Sequence, residues 1–342
     1  MIPTYWFQEY SGAGSREKYS NIGVLANLIF LRHLTLKDIV FRNRMDTRFL
    51  ERIAMEFNRS ITEIIRQRFS CRVYLERAVE RPVVENLKGA AADFTVGPLG
   101  SKVRFDIVAA SPGDQSALKG AGTYGLIKKP QAFIIGAVSP LAKGLEDFGY
   151  AMEHLVLHAT DAGLGSCWIG GIFSKSNFAK KIKAAQGEIV PAVVSLGYIE
   201  NLEKAKNSAL RVKINAINRN AWEGQFFSGK FGTPLTVEEA GRYTDPLEMV
   251  RLAPSASNKQ PWRIVKIEGA WHFFLERTKG YGGGIIFKLF RLADIQRLDM
   301  GIAMCHFELT ARQLGLAGEW KVEEPDLERP GQIEYVASWV GA

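Results

Sequence analysis

The chain has 342 residues, of which 46% are hydrophobic and 23% charged, a soluble globular composition that excludes disordered and fibrous classes and gives room for two lobes. A formal net charge of +8, from 44 basic and 36 acidic residues, asks for an anionic partner, either nucleic acid or a phosphate-bearing cofactor. With no C-x-x-C pair, no RNA-binding aromatic motif and no long basic block, the expectation is a small molecule and no nucleic acid.

In chain order, residues 1–58 match nothing that follows and are set apart as an N-terminal extension. They contain an apolar run, Ile22 to Leu31, that ends at Arg32 and is too short to span a bilayer. No basic segment precedes it and no small-residue cleavage site follows, so it does not read as a signal peptide. FLERIAMEF (49–57) is mildly amphipathic. Either the extension is genuine or the true start lies nearer Met45 or Met55.

A helix is predicted from Ser60 to Arg68, with Ser60 and Glu63 spaced as a capping box. Strand-like runs follow at 103–110, 131–138, 192–199, 263–267, 271–277 and 332–340. Helices are predicted between them at Ser174 to Ala185 and Pro246 to Leu252, the latter capped by Asp245. The Gly- and Phe-rich stretch from Gly224 to Pro234 reads as a connection. GYGGG, Gly280 to Gly284, lacks the Lys and Ser/Thr of a phosphate loop and reads as a flexible link.

An internal repeat organises these elements. Asp147 to Trp168 (DFGYAMEHLVLHATDAGLGSCW) and Asp299 to Trp320 (DMGIAMCHFELTARQLGLAGEW) are 152 residues apart and share ten of 22 positions. Each copy reads as a helix with small residues on one face, stopped by Gly163 or Gly315. Such helices can approach closely about a pseudo-two-fold axis. The expected fold is therefore α+β, with two related lobes at 59–230 and 231–342.

Three segments have the residue types of a binding site. In RFSCR, Arg68 and Arg72 flank Ser70, offering guanidinium forks and a hydroxyl to a phosphate. In APSASNKQPW (253–262), short side chains and free backbone groups can line a planar polar ring. In GLGSCWIGGIF (163–173), Gly170 and Gly171 let backbone N–H groups come close to a ligand. His154 and His158 have the spacing of a metal pair, but the repeat keeps only His306, so packing is the expected role and no metal site is assigned. Cys71, between two arginines, could have a depressed pKa. Cys71, Cys167 and Cys305 are widely spaced and odd in number, which suggests a reducing, cytoplasmic location.

Taken together, RFSCR, GLGSCWIGGIF, APSASNKQPW and the paired D-x-G-x-A-M-x-H helices resemble the FMN-dependent nitroreductases. The layout is similar to the internally duplicated subgroup first seen in Thermotoga, in which one chain imitates the usual homodimer. The resemblance implies a nitroreductase-like fold and an FMN between the lobes. It places Arg68 and Ser70 on the phosphate, Arg72 near the ring N1 and C2 oxygen, and Gly170 and Gly171 by N5 and O4. Pro254, Ser255, Ala256 and Asn258 would lie against the ring, and Arg219, in NRNAW, would close on the phosphate. Phe69 stands where a second Arg or His is usual, and Gly170 where some members have Glu. No protein nucleophile or base is then required, because the flavin carries the chemistry.

The activity implied is hydride transfer from NADH or NADPH to nitroaromatic or quinone-like acceptors, by alternating ping-pong steps. The alternative is a flavin carrier or sensor of the same fold without turnover. The first half holds the only R-x-S-x-R and the second half the only APSASNKQPW; their counterparts are AGRYTD (240–245) and DFTVGPLGSK (93–102). One FMN per chain and a monomer are expected.

Overall fold

The computed structural model describes residues 57–123, 125–171, 173–206, 218–280 and 293–341. In chain order the elements are α1 (Ile61–Gln67), α2 (Arg81–Asp93), β1 (Val103–Ala109), β2 (Ala132–Val138), α3 (Gly144–Asp161), β3 (Gly165–Ile169), α4 (Lys175–Lys181), β4 (Val193–Gly197) and α5 (Leu202–Lys206). They continue as β5 (Phe226–Ser228), α6 (Val237–Ala240), α7 (Thr244–Leu252), β6 (Trp262–Ile267), β7 (Ala270–Glu276), α8 (Ile295–Gln313), β8 (Gly318–Lys321) and β9 (Ile333–Gly341). Residues 1–56, which hold nearly all of the set-apart extension, and all but Gly280 of the GYGGG run lie outside the described residues.

The duplication shows in the strand orders. The first sheet runs β1-β2-β4-β3 and the second β5-β6-β7-β9-β8; without β5 the two orders correspond strand for strand. Neighbours are antiparallel throughout, except that β5 joins β6 in parallel with Phe226 opposite Ile264. The stretch read as a connection is therefore partly an edge strand of the second sheet. Three residues of strand among glycines give too short a period-two pattern to be seen in sequence.

Every residue of β2 is buried, because its two faces feed separate cores. Ala132, Ile134 and Val138 pack with α2 and α3, while Phe133, Ile135 and Ala137 pack with Phe69, Phe173 and Phe178. In the second lobe the indoles of Trp262, Trp271 and Trp339 are fully buried. Phe307, on α8, meets Phe273 with centroids 5.3 Å apart and Trp339 at 6.0 Å.

The lobes join where α3 crosses α8. A Cβ on Gly149 would lie 2.2 Å from the Leu298 carbonyl oxygen, and one on Gly301 would lie 1.9 Å from that of Glu146. Shifting 146 and 149 by 152 gives 298 and 301, so the two contacts are each other's symmetry mates. That reciprocity is the signature of an isologous contact, here within one chain. The contact is made by the glycines of the repeat, whereas Ala151, Leu155 and Ala159, the small-residue face read from the sequence, pack in the core of the first lobe.

Some boundaries differ from the sequence reading. The helix expected from Pro246 begins at Thr244, so Asp245 sits in the first turn and is not the cap. Ser60 does accept from the Glu63 N–H at 3.3 Å, but the full reciprocal capping box is at Thr236 and Glu239. Strands β3 and β8 were unread, being short and Gly-bounded. His158 stacks on Phe57 with centroids 4.3 Å apart and His154 lies against Phe94 at 4.8 Å; both rings are packed among aromatics. Among the described residues no group of three or more His, Cys, Asp and Glu could hold a metal. Nor is any described helix long and apolar enough to cross a membrane.

Candidate functional site

A cavity of about 410 Å³ opens between the lobes, and every residue that the resemblance assigns to the cofactor lines it: Arg68, Ser70, Arg72, Gly170, Gly171, Arg219, Pro254, Ser255, Ala256 and Asn258. The volume lies within the range of small-molecule sites.

The arginine segment is placed by backbone pairing. Leaving α1, it runs beside β3, where Ser70 bridges Ser166 and the Cys71 N–H donates to the Ser166 carbonyl at 2.8 Å. The Arg72 carbonyl accepts from the Lys128 N–H at 2.8 Å. Alternation along this extended segment puts Arg68, Ser70 and Arg72 on one side. The thiol of Cys71 is buried and donates to the Val73 carbonyl at 3.2 Å. Of the three cysteines it is Cys167, on β3, that lines the cavity.

Both arginines have an unanswered donor. The Nη1 atoms of Arg68 and Arg72 are buried without a hydrogen-bond partner. The Arg68 side chain is only 4% exposed, and its Nε lies 3.8 Å from Glu153 Oε1. Burial lowers its pKa, with Glu153 opposing. Buried guanidinium N–H donors without an acceptor are rare because desolvating them is costly. Two around one cavity make that cavity a place for an anion.

The loop from the other lobe is held in a conformation that L residues seldom take. Ser257, Asn258 and Gln260 have φ of 50°, 55° and 50°, each costing on the order of 1 kcal/mol. Side chains hold it there. Arg219 donates to Asn258 Oδ1 at 3.2 Å and to the Leu252 carbonyl at 3.1 Å. Asn258 Nδ2 donates to the Asn218 carbonyl at 2.8 Å, and the Asn220 N–H donates to Gln260 Oε1 at 2.8 Å. The resemblance assigns Arg219 to a phosphate; in the structure its guanidinium also braces the loop.

Several lining residues escaped the sequence reading. Ile295, Leu298 and Ile302 project from α8 as an apolar wall, and Trp168 stands on β3. Asp299, also lining the cavity, accepts the Ala256 N–H on both oxygens, at 3.0 and 3.1 Å. Burial pushes its carboxyl well above the usual carboxylate range, against the Ala256 hydrogen bond. The repeat had marked Asp299 and Trp168 as recurring positions, which was a usable signal. Nothing in the second-half helix alone marks three of its residues as a wall for an arginine segment more than 200 positions earlier.

The arrangement offers cations and a hydroxyl from one lobe, a polar strained loop from the other, and an apolar wall between. It suits a flat molecule with an anionic end. Comparison with known proteins gives the family. Residues 60–311 match the family model described as "Putative TM nitroreductase". A crystal structure of a "putative nitroreductase" from Thermotoga maritima aligns at 20% identity and TM-score 0.51, covering 82% of this chain and 94% of that one. A nitroreductase with bound FMN from Bacteroides fragilis aligns at 20% identity and TM-score 0.32, covering 41% of this chain and 89% of that one. An FMN-dependent nitroreductase from Clostridium difficile aligns at 22% identity and TM-score 0.33, covering 46% and 98%. No curated protein sequence matches the chain. With more than half its length matched by that model, in a fold of two related lobes imitating a dimer, the chain belongs to the TM nitroreductase family.

Proposed function

We propose that the chain is an FMN-dependent oxidoreductase that takes hydride from NADH or NADPH and reduces nitroaromatic or quinone-like acceptors. One observation carries the reading. Three segments far apart in sequence line a single cavity, and two of its arginines have buried donors without partners. FMN, when bound, would supply the hydride acceptor and donor for both half-reactions.

The chain's own residues would bind and orient. Arg68 and Ser70 offer charge-assisted and neutral hydrogen bonds to a phosphate. Arg72 places a fixed cation where negative charge develops on hydride uptake. Ile295, Leu298 and Ile302 exclude water from one side. Gly170 and Gly171, after β3, leave backbone N–H groups open to a ring edge. Pro254, Ser255, Ala256 and Asn258 would hold the opposite side in register, with the loop fixed by Arg219.

The reading includes one FMN per chain in a monomer located in the cytoplasm. Purified protein should be yellow and should bleach with NADH or NADPH without oxygen. Heat should release one flavin per chain, and the mass in solution should be that of one chain. A colourless protein that binds no added FMN would sink the reading; a yellow protein that never bleaches would make it a carrier or sensor. Two flavins per chain, or a site complete only in an obligate dimer, would overturn the stoichiometry or the monomer.

A further inference from the structure

We propose that Glu153 and His306 hold one proton between them, and that this proton keeps the charge of Arg68 available to an anion in the cavity. The proposal rests on the FMN reading only for the identity of that anion.

The three side chains come from three elements. Arg68 follows α1, Glu153 is on α3 and His306 is on α8; the side chains of Glu153 and His306 are wholly buried. Glu153 Oε2 accepts from the Trp168 indole at 2.7 Å. Its Oε1 lies 3.0 Å from His306 Nε2 and 3.8 Å from Arg68 Nε. On the far side of the ring, His306 Nδ1 is 2.9 Å from the Met249 carbonyl oxygen.

Hydrogen-bond arithmetic places the proton. A carbonyl oxygen can only accept, so Nδ1 carries a hydrogen and donates it to Met249. The ring's ordinary single hydrogen is then used. A contact of 3.0 Å between Nε2 and a carboxyl oxygen needs a second hydrogen, since two lone pairs facing each other away from water repel. Whether that hydrogen rests on the imidazole or on the carboxyl, the total charge is the same.

The consequence falls on Arg68. Without the shared proton, Arg68 and Glu153 would cancel. With it, the cluster carries one net positive charge beside a cavity where Arg68 Nη1 has no partner. The repeat gives the contrast. Cys305 stands at the mate of Glu153, and His154, the mate of His306, lies against the rings of Phe57 and Phe94, 5.6 and 4.8 Å away. Glu153 and His306 are positioning residues; neither lines the cavity.

The test uses the full chain. Proton NMR should show a far-downfield resonance in the wild type that disappears in both Glu153→Gln and His306→Gln. In titrations, His306→Gln should weaken FMN about tenfold, while Glu153→Gln and the double variant stay within about threefold of wild type. Riboflavin, which lacks the phosphate, should bind all four proteins alike. No such resonance in the wild type would overturn the shared proton. So would a Glu153→Gln protein that binds FMN about tenfold more tightly, since Glu153 would then have been cancelling Arg68. Equal losses of FMN and riboflavin in His306→Gln would make the role purely structural and end the proposal. A wild type that binds neither flavin refutes the FMN reading instead, and the resonance alone then decides the proton.

Discussion

The wall of the cavity and its symmetry mate began as the same helix face and now have opposite chemistry. On α8 the face presents Ile295, Leu298, Asp299 and Ile302 to the cavity. The positions 152 residues earlier, on or just before α3, are Lys143, Glu146, Asp147 and Tyr150. Each of these is engaged within the protein. Lys143 donates to the Val336 carbonyl at 2.7 Å, Glu146 accepts from Arg297 at 2.7 Å, and Tyr150 donates to Glu308 at 2.8 Å. Arg297 continues to Glu334 at 2.7 Å. Only the aspartates keep their role: Asp147 accepts the Leu99 and Ser101 N–H groups, each at 2.7 Å, as Asp299 accepts that of Ala256. On α3 the face is taken up by ion pairs and hydrogen bonds, while on α8 it is an apolar wall beside arginines with unanswered donors.

The comparison is most exposed at the shared crossing, where the halves should still be equal. Gly149→Ala and Gly301→Ala each drive a Cβ into backbone of the partner helix, 2.2 and 1.9 Å from a carbonyl oxygen. Each should cost about 3 kcal/mol or more, because backbone must move. Urea unfolding measures both, and tolerance of one substitution alone would disprove the reciprocity.

The clefts themselves should differ next. Arg68→Ala should lose about 1.5–3 kcal/mol of FMN binding, as for a charge-assisted contact. Arg242→Ala, in the counterpart segment, should lose none, since Arg242 is exposed and donates to the Leu314 carbonyl. Equal titrations for Arg68→Ala and wild type would remove Arg68 from the site. Asn258→Ala should have a smaller effect, about 1 kcal/mol in flavin binding, because Arg219 and the strained loop lose one anchor. Unchanged affinity and bleaching rate would mean that the second lobe does not serve the cofactor.

The smallest effect is one of pH. Burial raises the Asp299 carboxyl well above its ordinary value, so the folded protein keeps a proton that the unfolded chain has released. Stability should therefore fall as pH rises from the ordinary carboxylate range towards the folded value. Asp299→Asn keeps an acceptor for Ala256 and should flatten that slope in urea midpoints at pH 5 and 8. A slope as steep as wild type would place the titration elsewhere.

Much of this was readable from residues alone, for reasons that particular elements make plain. The paired helices were visible because the duplication printed them twice, although the glycines that make the crossing, Gly149 and Gly301, were not singled out. RFSCR and APSASNKQPW were visible because short-range chemistry is written contiguously. The wall was not, since Ile295, Leu298 and Ile302 acquire their role only when α8 is laid across α3. The partnership of Glu153 with His306 was hidden for the same reason: it spans the crossing. Strand β5 was hidden because its partner β6 lies beyond a helix and a loop.

That strand has one more consequence. Phe226–Ser228 follows the first lobe in the chain yet completes the edge of the second sheet, beside β6. Both Phe226 and Trp262, where β6 begins, are fully buried. Scission after residue 230 would therefore not release two finished halves: the trailing piece would lose its outermost strand, and the leading piece would keep a sticky aromatic tail. The polypeptide is clasped as well as fused, since a strand that follows the first lobe is built into the edge of the second sheet.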